Sequence, residues 1–217
     1  MIIAIDGPAG SGKSTTAKLL AEKLEFIYLD TGAMYRAVTL FLLKNKINVN
    51  NISDVKESLE KIDLSIKNKN SFEVYLNNQN VTNNLRETSI DDLVSDVSKI
   101  LGVRNKMVIL QRNFSSNKNV VVEGRDIGSN VFPNAGFKFF LIADVMERAK
   151  RRFNDKQHEK SLTLSELVKK IEKRDKIDSN RLISPLIKVN DAIEIDTTSL
   201  TVKEQVTKIY DIINRGN

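Results

Sequence analysis

The chain opens on an unbroken apolar run, Ile2-Ile3-Ala4-Ile5, which predicts a strand buried on both faces and running into a glycine-rich turn. Ala17, Leu20, Ala21 and Leu24 then fall on one face of a helix over residues 15–24. Residues 26–29 predict a second short strand ending at Asp30, and Thr31 opens a helix from Gly32 to about Lys44. The apolar positions of that helix, among them Ala33, Ala37, Val38, Leu40 and Leu42, are spread widely enough to require burial. A β-α-β-α rhythm of this kind predicts a parallel sheet with helices packed on its faces.

Over residues 45–88 the rhythm breaks. Asn-rich spacers (Asn48, Asn50 and Asn51; Asn68 and Asn70; Asn77, Asn78 and Asn80) separate a short helix over residues 53–61 from alternating runs at 62–67 and 72–76 and a brief piece around Val81. Asn77-Asn78 suits a tight turn, so an antiparallel hairpin unit inserted into the parallel domain is the simplest account. Such insertions tend to cover a ligand site rather than support the core.

Helical spacing resumes at Ser89 through Ile90, Leu93, Val94 and Val97, with a bend or break expected at Gly102 and a continuation over residues 103–114. Val120-Val121-Val122, closed by Glu123, has the composition of a central parallel strand, and residues 137–142 predict another. Asp144 caps the next helix, and the capping box Thr163-Leu164-Ser165-Glu166 starts one running to about residue 175. Residues 176–181 read as a polar loop. A last strand over residues 192–195 and a helix opened by a second capping box at Thr201-Val202-Lys203-Glu204 complete an α/β fold with five parallel strands.

Composition narrows the possibilities. A chain of 217 residues, 41% hydrophobic and 29% charged, suits one globular domain. The absence of cysteine excludes disulfides and thiolate metal sites. With a core strand at its start and no apolar run of spanning length, the sequence leads to the expectation of a soluble, cytoplasmic protein that does not engage a membrane. The net charge of +6 fits either nucleic acid or a small anionic substrate. Lysines lie in mixed stretches with Asp and Glu, whereas arginines gather beside Gly, Asp and Ser at element ends, which favours a small nucleotide.

Candidate chemistry centres on Gly7-Pro8-Ala9-Gly10-Ser11-Gly12-Lys13-Ser14, with Thr15 beginning the helix. The spacing is that of a phosphate-binding loop, in which backbone N–H groups curl round a polyphosphate, Lys13 reaches the β- and γ-phosphates and the Ser14 hydroxyl binds Mg²⁺. Tyr35 and Arg36 lie close after the second strand, where such sheets bind ligands. Ser95 and Arg104 face either solvent or a ligand. Gly124-Arg125-Asp126-Ile127-Gly128 follows a central strand into the ligand crevice. Arg148, Lys150, Arg151 and Arg152 on one helix are candidate clamps for a transferring phosphoryl group. His158, the only histidine, is read as solvent-facing and takes no role.

P-loop proteins include GTPase switches, motors and phosphotransferases. No guanine-reading Asn-Lys-x-Asp motif follows the loop, and the chain is short for a motor. Assembled, the chain resembles the bacterial cytidylate (CMP) kinases, which are P-loop nucleoside monophosphate kinases. The matching blocks are residues 5–15, Leu29-Asp30-Thr31-Gly32-Ala33-Met34-Tyr35-Arg36, Glu123-Gly124-Arg125-Asp126-Ile127-Gly128, Glu147-Arg148-Ala149-Lys150-Arg151-Arg152 and residues 174–181.

The resemblance implies transfer of the γ-phosphate of ATP, with Mg²⁺, to CMP or dCMP. It implies that Gly7 to Thr15 hold ATP, and that Lys13 with Arg148, Arg151 and Arg152 neutralises the transferring group. Arg36, Arg125 and Arg181, assisted by Thr31, would hold the acceptor phosphate. Arg174 and Asp178 would face the ribose, and Ser95, Arg104 and Asp126 would read the base. It implies one kinase domain whose core is residues 1–44, 89–147 and 185–217, with an acceptor-side insertion at 45–88 and a lid at 148–184. Two departures from the family pattern are Glu123, where Asp is frequent, and an arginine-poor 176–181 segment. Another P-loop metabolite or monophosphate kinase, or a basic nucleic-acid-binding P-loop protein, are the alternatives. The absence of aromatic-interleaved basic tracts counts against nucleic acid. No interface signature is present, so a monomer is the default expectation.

Overall fold

The computed structural model describes residues 1–68, 71–154 and 162–216. In chain order its elements are β1 (Ile2–Asp6), α1 (Lys13–Leu24), β2 (Ile27–Asp30), α2 (Thr31–Lys44), α3 (Ile52–Glu60), β3 (Leu64–Asn68), β4 (Phe72–Leu76), β5 (Gln79–Asn80), α4 (Thr88–Val97), α5 (Leu101–Ser115), β6 (Val120–Gly124), β7 (Phe137–Ile142), α6 (Val145–Asn154), α7 (Leu164–Ser179), β8 (Ile193–Asp196) and α8 (Val202–Gly216). The chain divides into two compact units, one of residues 1–30 and 117–217, the other of residues 31–116. No described helix is long and apolar enough to cross a membrane.

The first unit holds a five-stranded parallel sheet in the order β2-β6-β1-β7-β8, as the β-α rhythm predicts. Its central strands are the apolar runs: Ile3, Ala4, Ile5, Val120, Val121 and Val122 are fully buried. Parallel strands need both faces covered, which is why they carry no alternation. Helix α1 packs against β6 and α8. Helices α6 and α7 pack together on a small apolar core of Ala149, Leu167 and Ile171, edged by Val145 and Val168.

The capping reads translate directly into hydrogen bonds. Asp144 Oδ1 accepts from the Met146 and Glu147 amides, Thr163 and Glu166 cap each other reciprocally, and Thr201 and Glu204 do the same. The 176–181 loop is corrected: α7 continues as helix to Ser179. Tertiary partners for its last turns, described below, outweigh their polar composition.

In the second unit α2 packs against α4, α5 and β4, and α3 packs against α5. The insertion is an antiparallel sheet, β3-β4-β5, in which Val74 and Leu76 turn inward. Asn77 and Asn78 join β4 to β5 with φ of 48° and 65°, the two positive values a type I′ hairpin turn demands. The brief third strand lies at residues 79–80, just before buried Val81.

The helix break expected at Gly102 falls earlier, over residues 98–100, and Gly102 sits in the first turn of α5. The stop is made by Ser98, whose amide bonds Val94 O and whose hydroxyl donates to Ser95 O at 2.9 Å. Arg104 Nη1 then donates to the Ser98 carbonyl at 3.2 Å, capping a helix end that glycine alone did not explain. His158 and Asn70 lie outside the described residues.

Candidate active site

The C-terminal end of β1 delivers the chain into the loop of residues 7–12. Gly7 approaches β7 so closely that a Cβ there would lie 2.1 Å from Leu141 O, so no other residue fits the position without moving the sheet. Gly12 caps α1 from a left-handed conformation and offers no side chain to its amides. The first-turn N–H groups of α1 thus have no side-chain cap from Gly12, and they lie at the positive end of the helix dipole, a setting that suits an anion. Ser11 and Lys13 are buried, Ser14 is half-buried, and Thr15 is exposed.

Lys13 Nζ donates to Pro8 O at 2.7 Å and to Ser11 Oγ at 3.5 Å, both neutral acceptors. Burial, reinforced by the Arg125 charge, brings its ammonium down to about 7. Ser14 donates to the carboxylate of Glu123, which also accepts from Tyr28 Oη at 3.1 Å. Burial, then the neighbouring Asp30, pushes the Glu123 carboxyl up. The Ser14 hydroxyl and the Glu123 carboxylate it bonds offer oxygen donors, the chemistry that a hard divalent cation prefers.

Register places the second part of this cluster. Asp6 pairs with Gly124 across β1 and β6, so the turn that follows Gly124 emerges beside the start of the phosphate loop. Asp6, buried, accepts from the amides of Ile127 at 2.9 Å and Gly128 at 2.8 Å and thereby fixes that turn; burial pushes its carboxyl up to about 6. Asp126 is buried, and its Oδ2 accepts from Asn130 Nδ2 at 3.1 Å. Arg125 Nε donates to Asp178 Oδ2 at 2.9 Å. Burial works to lower the Arg125 guanidinium, but the Asp178 carboxylate outweighs it and holds the group above its ordinary value. Asp178 is pressed upward by burial, yet Arg125, Arg174 and Arg181 together keep it below the usual carboxylate range. Arg181 is buried, with Nε donating to Asp178 O at 3.2 Å, and Arg174 is half-buried.

Helix α6 lies against the loop. Arg148, buried, donates from Nη1 to Ala9 O at 3.0 Å, from Nε to Ala143 O at 3.0 Å, and forms an ion pair with Asp175. Arg151 Nη2 donates to Thr197 O at 2.5 Å and its Nη1 to Thr197 Oγ1 at 3.1 Å. Arg152 is half-buried on the same helix. The structure thus gathers the residues predicted from 7–15, 125–126, 148–152 and 174–181 in one unit.

Thr31, Arg36, Ser95 and Arg104 belong to the other unit. Arg36 bonds Asp91 at 3.3 Å, Ser95 is buried on α4, and buried Arg104 sets its guanidinium 5.7 Å from the centre of the Tyr35 ring. Thr31 is buried as the first residue of α2.

Several supports of the loop carry no local sequence signature. Thr197 Oγ1 donates to Ser11 O at 3.0 Å, Gln205 Oε1 accepts from Thr16 Oγ1 at 2.7 Å, and Asp175 Oδ1 accepts from the Ala9 amide at 3.2 Å. Asp6 alone had a clue, standing directly before Gly7.

The fold is similar to that of a shikimate kinase from Bacteroides thetaiotaomicron, with a TM-score of 0.52 at 13% identity over 99% of this chain and 98% of that one. Sequence relatives are much nearer. A cytidylate kinase from Fusobacterium nucleatum is 49% identical over 99% of this chain and 98% of its own length, and one from Clostridioides difficile is 46% identical over the same shares. The family model described as Cytidylate kinase matches residues 3–215, and the chain belongs to that family.

Proposed function

We propose that this protein transfers the γ-phosphoryl group of ATP to CMP or dCMP, forming the nucleoside diphosphate and ADP. The observation that carries the proposal is the register of β1 with β6, which sets the Arg125-Asp126 turn beside the loop that carries Lys13. Family membership supports the same chemistry. A phosphate oxygen of CMP attacks Pγ, the bond from Pγ to the β,γ-bridging oxygen breaks, and ADP leaves with the electron pair. The CMP phosphate is largely dianionic at neutral pH, with a second pKa of about 6, so no general base is needed. Catalysis is therefore alignment and charge neutralisation.

Lys13 and the first-turn amides of α1 hold the β- and γ-phosphates of ATP, within a loop of residues Gly7 to Thr15. Ser14, next to Glu123, is the protein ligand for Mg²⁺, which when bound with ATP offsets phosphate charge. Arg148, Arg151 and Arg152 supply positive charge beside the transferring group. On the acceptor, Thr31, Arg36, Arg125 and Arg181 take the phosphate, and Arg174 and Asp178 the ribose. Ser95, Arg104 and Asp126 read cytosine: the carboxylate accepts from the exocyclic amine, and the guanidinium donates to the ring nitrogen and carbonyl. Uracil turns an oxygen toward Asp126 and is disfavoured.

Initial rates with ATP-Mg²⁺ and CMP, dCMP, UMP, AMP or shikimate test this. CDP and dCDP formation well above every other product is expected. Faster turnover of UMP than CMP would overturn the base assignment, and no phosphorylation of CMP would overturn the function.

A further inference from the structure

Asp175 has no substrate-contacting role above, yet its carboxylate links α7 to the phosphate loop. Its Oδ1 accepts the Ala9 N–H at 3.2 Å, and it pairs with Arg148, whose Nη1 donates to Ala9 O at 3.0 Å. The two side chains grip the amide and the carbonyl of one loop residue. The fit is close on the α6 side as well, since a Cβ on Gly10 would lie 3.0 Å from Arg148 Cβ. Three residues further along α7, nearly one turn, Asp178 holds Arg125 at 2.9 Å, and its backbone carbonyl receives Arg181 at 3.2 Å. One short stretch of helix thus carries a grip on the donor loop at one point and a grip on the acceptor-side arginines at the next.

We propose that Asp175 is a positioning residue that couples the two nucleotide sites; the proposal rests on the ATP:CMP function argued above. Polyphosphate in the loop orders the Ala9 peptide. Through Asp175 that order passes to the last turns of α7, so part of the entropy cost of fixing Asp178, Arg125 and Arg181 for CMP is already met when ATP is present. Because coupling is reciprocal, CMP tightens ATP by the same factor.

The test is calorimetric titration of CMP into the intact protein, with and without a non-hydrolysable ATP analogue and Mg²⁺. Wild type, Asp175→Ala and Asp175→Asn are compared, with the exposed Glu194→Gln as a charge-loss control. In wild type the analogue should tighten CMP by roughly 5- to 150-fold, the usual range for linked sites. In Asp175→Ala that factor should fall to within about twofold of unity, whatever the change in CMP affinity without the analogue. Asp175→Asn, which keeps an acceptor for the Ala9 amide but loses the ion pair, should fall between, and Glu194→Gln should match wild type.

Steady-state rates should show the same loss as a raised KM for CMP at saturating ATP. A wild-type coupling factor surviving in both Asp175 variants would overturn the proposal, as would equal loss of CMP affinity with and without the analogue. Wild-type protein that binds both nucleotides but shows no coupling overturns it too, whereas failure to phosphorylate CMP at all overturns the underlying function.

Discussion

Lys13, buried, and Arg125, half-buried, are cations at the same end of the parallel sheet, and their surroundings push them in opposite directions. Arg125 is bonded to a carboxylate, Asp178, which more than offsets its burial. Among the described residues Lys13 bonds a backbone carbonyl and a hydroxyl; burial, reinforced by Arg125, outweighs the nearby Glu123 and Asp6 charges, and its ammonium falls to about 7. Arg125 is neutralised inside the protein by a bonded carboxylate, whereas Lys13 bonds neutral acceptors and, in the proposed function, meets its counter-charge in the ligand. A buried ammonium that no carboxylate bonds directly is costly, and in the proposed function a polyphosphate would offset that cost on binding.

The largest effect is expected at Lys13. Lys13→Ala should keep the fold and lose on the order of 10²- to 10³-fold in kcat, the range seen when one preorganised charge-stabilising group is removed. Near-normal turnover by a folded variant, measured by coupled ADP release, would break the comparison on its donor side.

A smaller but double effect is expected at the other cation. Arg125→Ala should raise the KM for CMP by about 10- to 100-fold, the worth of a hydrogen bond to a charged group. It should also lower the thermal midpoint, because Asp178 loses its strongest partner while remaining buried. Loss of CMP affinity without loss of stability would show that the Arg125–Asp178 pair is not holding α7.

The smallest effect is on stability against pH. Lys13 binds a proton less readily folded than unfolded, so between pH 7 and 10.5 the unfolded chain holds more protons and stability rises with pH through that window. Lys13→Met, which removes the buried charge, should therefore unfold at a higher temperature than wild type at pH 6, with the gap closing towards pH 10. Asp6 works with the opposite sign. Its carboxyl, raised from 3.8 to about 6, favours the protonated folded state, so it costs stability as pH rises across that interval. A gap for Lys13→Met that widens with pH would contradict the assignment.

How much of this the sequence disclosed depends on range. The phosphate loop, both capping boxes, the Asn77-Asn78 turn and the apolar strands are set by neighbours within a few residues, and each was legible. The end of α7 was not, because residues 176–179 look like a loop until Asp178 meets Arg125, a residue 53 positions away. The helix break near Gly102 was placed too late for a similar reason: Ser98 and Arg104 make it, and glycine only stands near it. The braces Asp175, Thr197 and Gln205 reach the loop from helices and turns far along the chain, where no spacing rule marks them. Of the residues that the family resemblance implied for the acceptor, those near the sheet end were legible as a motif. Ser95 and Arg104 had no signal of their own beyond that resemblance.

The contrast between Lys13 and Arg125 is tested most directly by counting protons. At pH 8, ATP binding is measured by calorimetry in buffers of different ionisation enthalpy. An ammonium near 7 is mostly neutral there and must regain its proton beside the polyphosphate. Uptake approaching about one proton per ATP at pH 8, falling away by pH 6, is the predicted result. Binding without proton uptake at pH 8 would mean that Lys13 is already charged in the empty loop and would contradict the account.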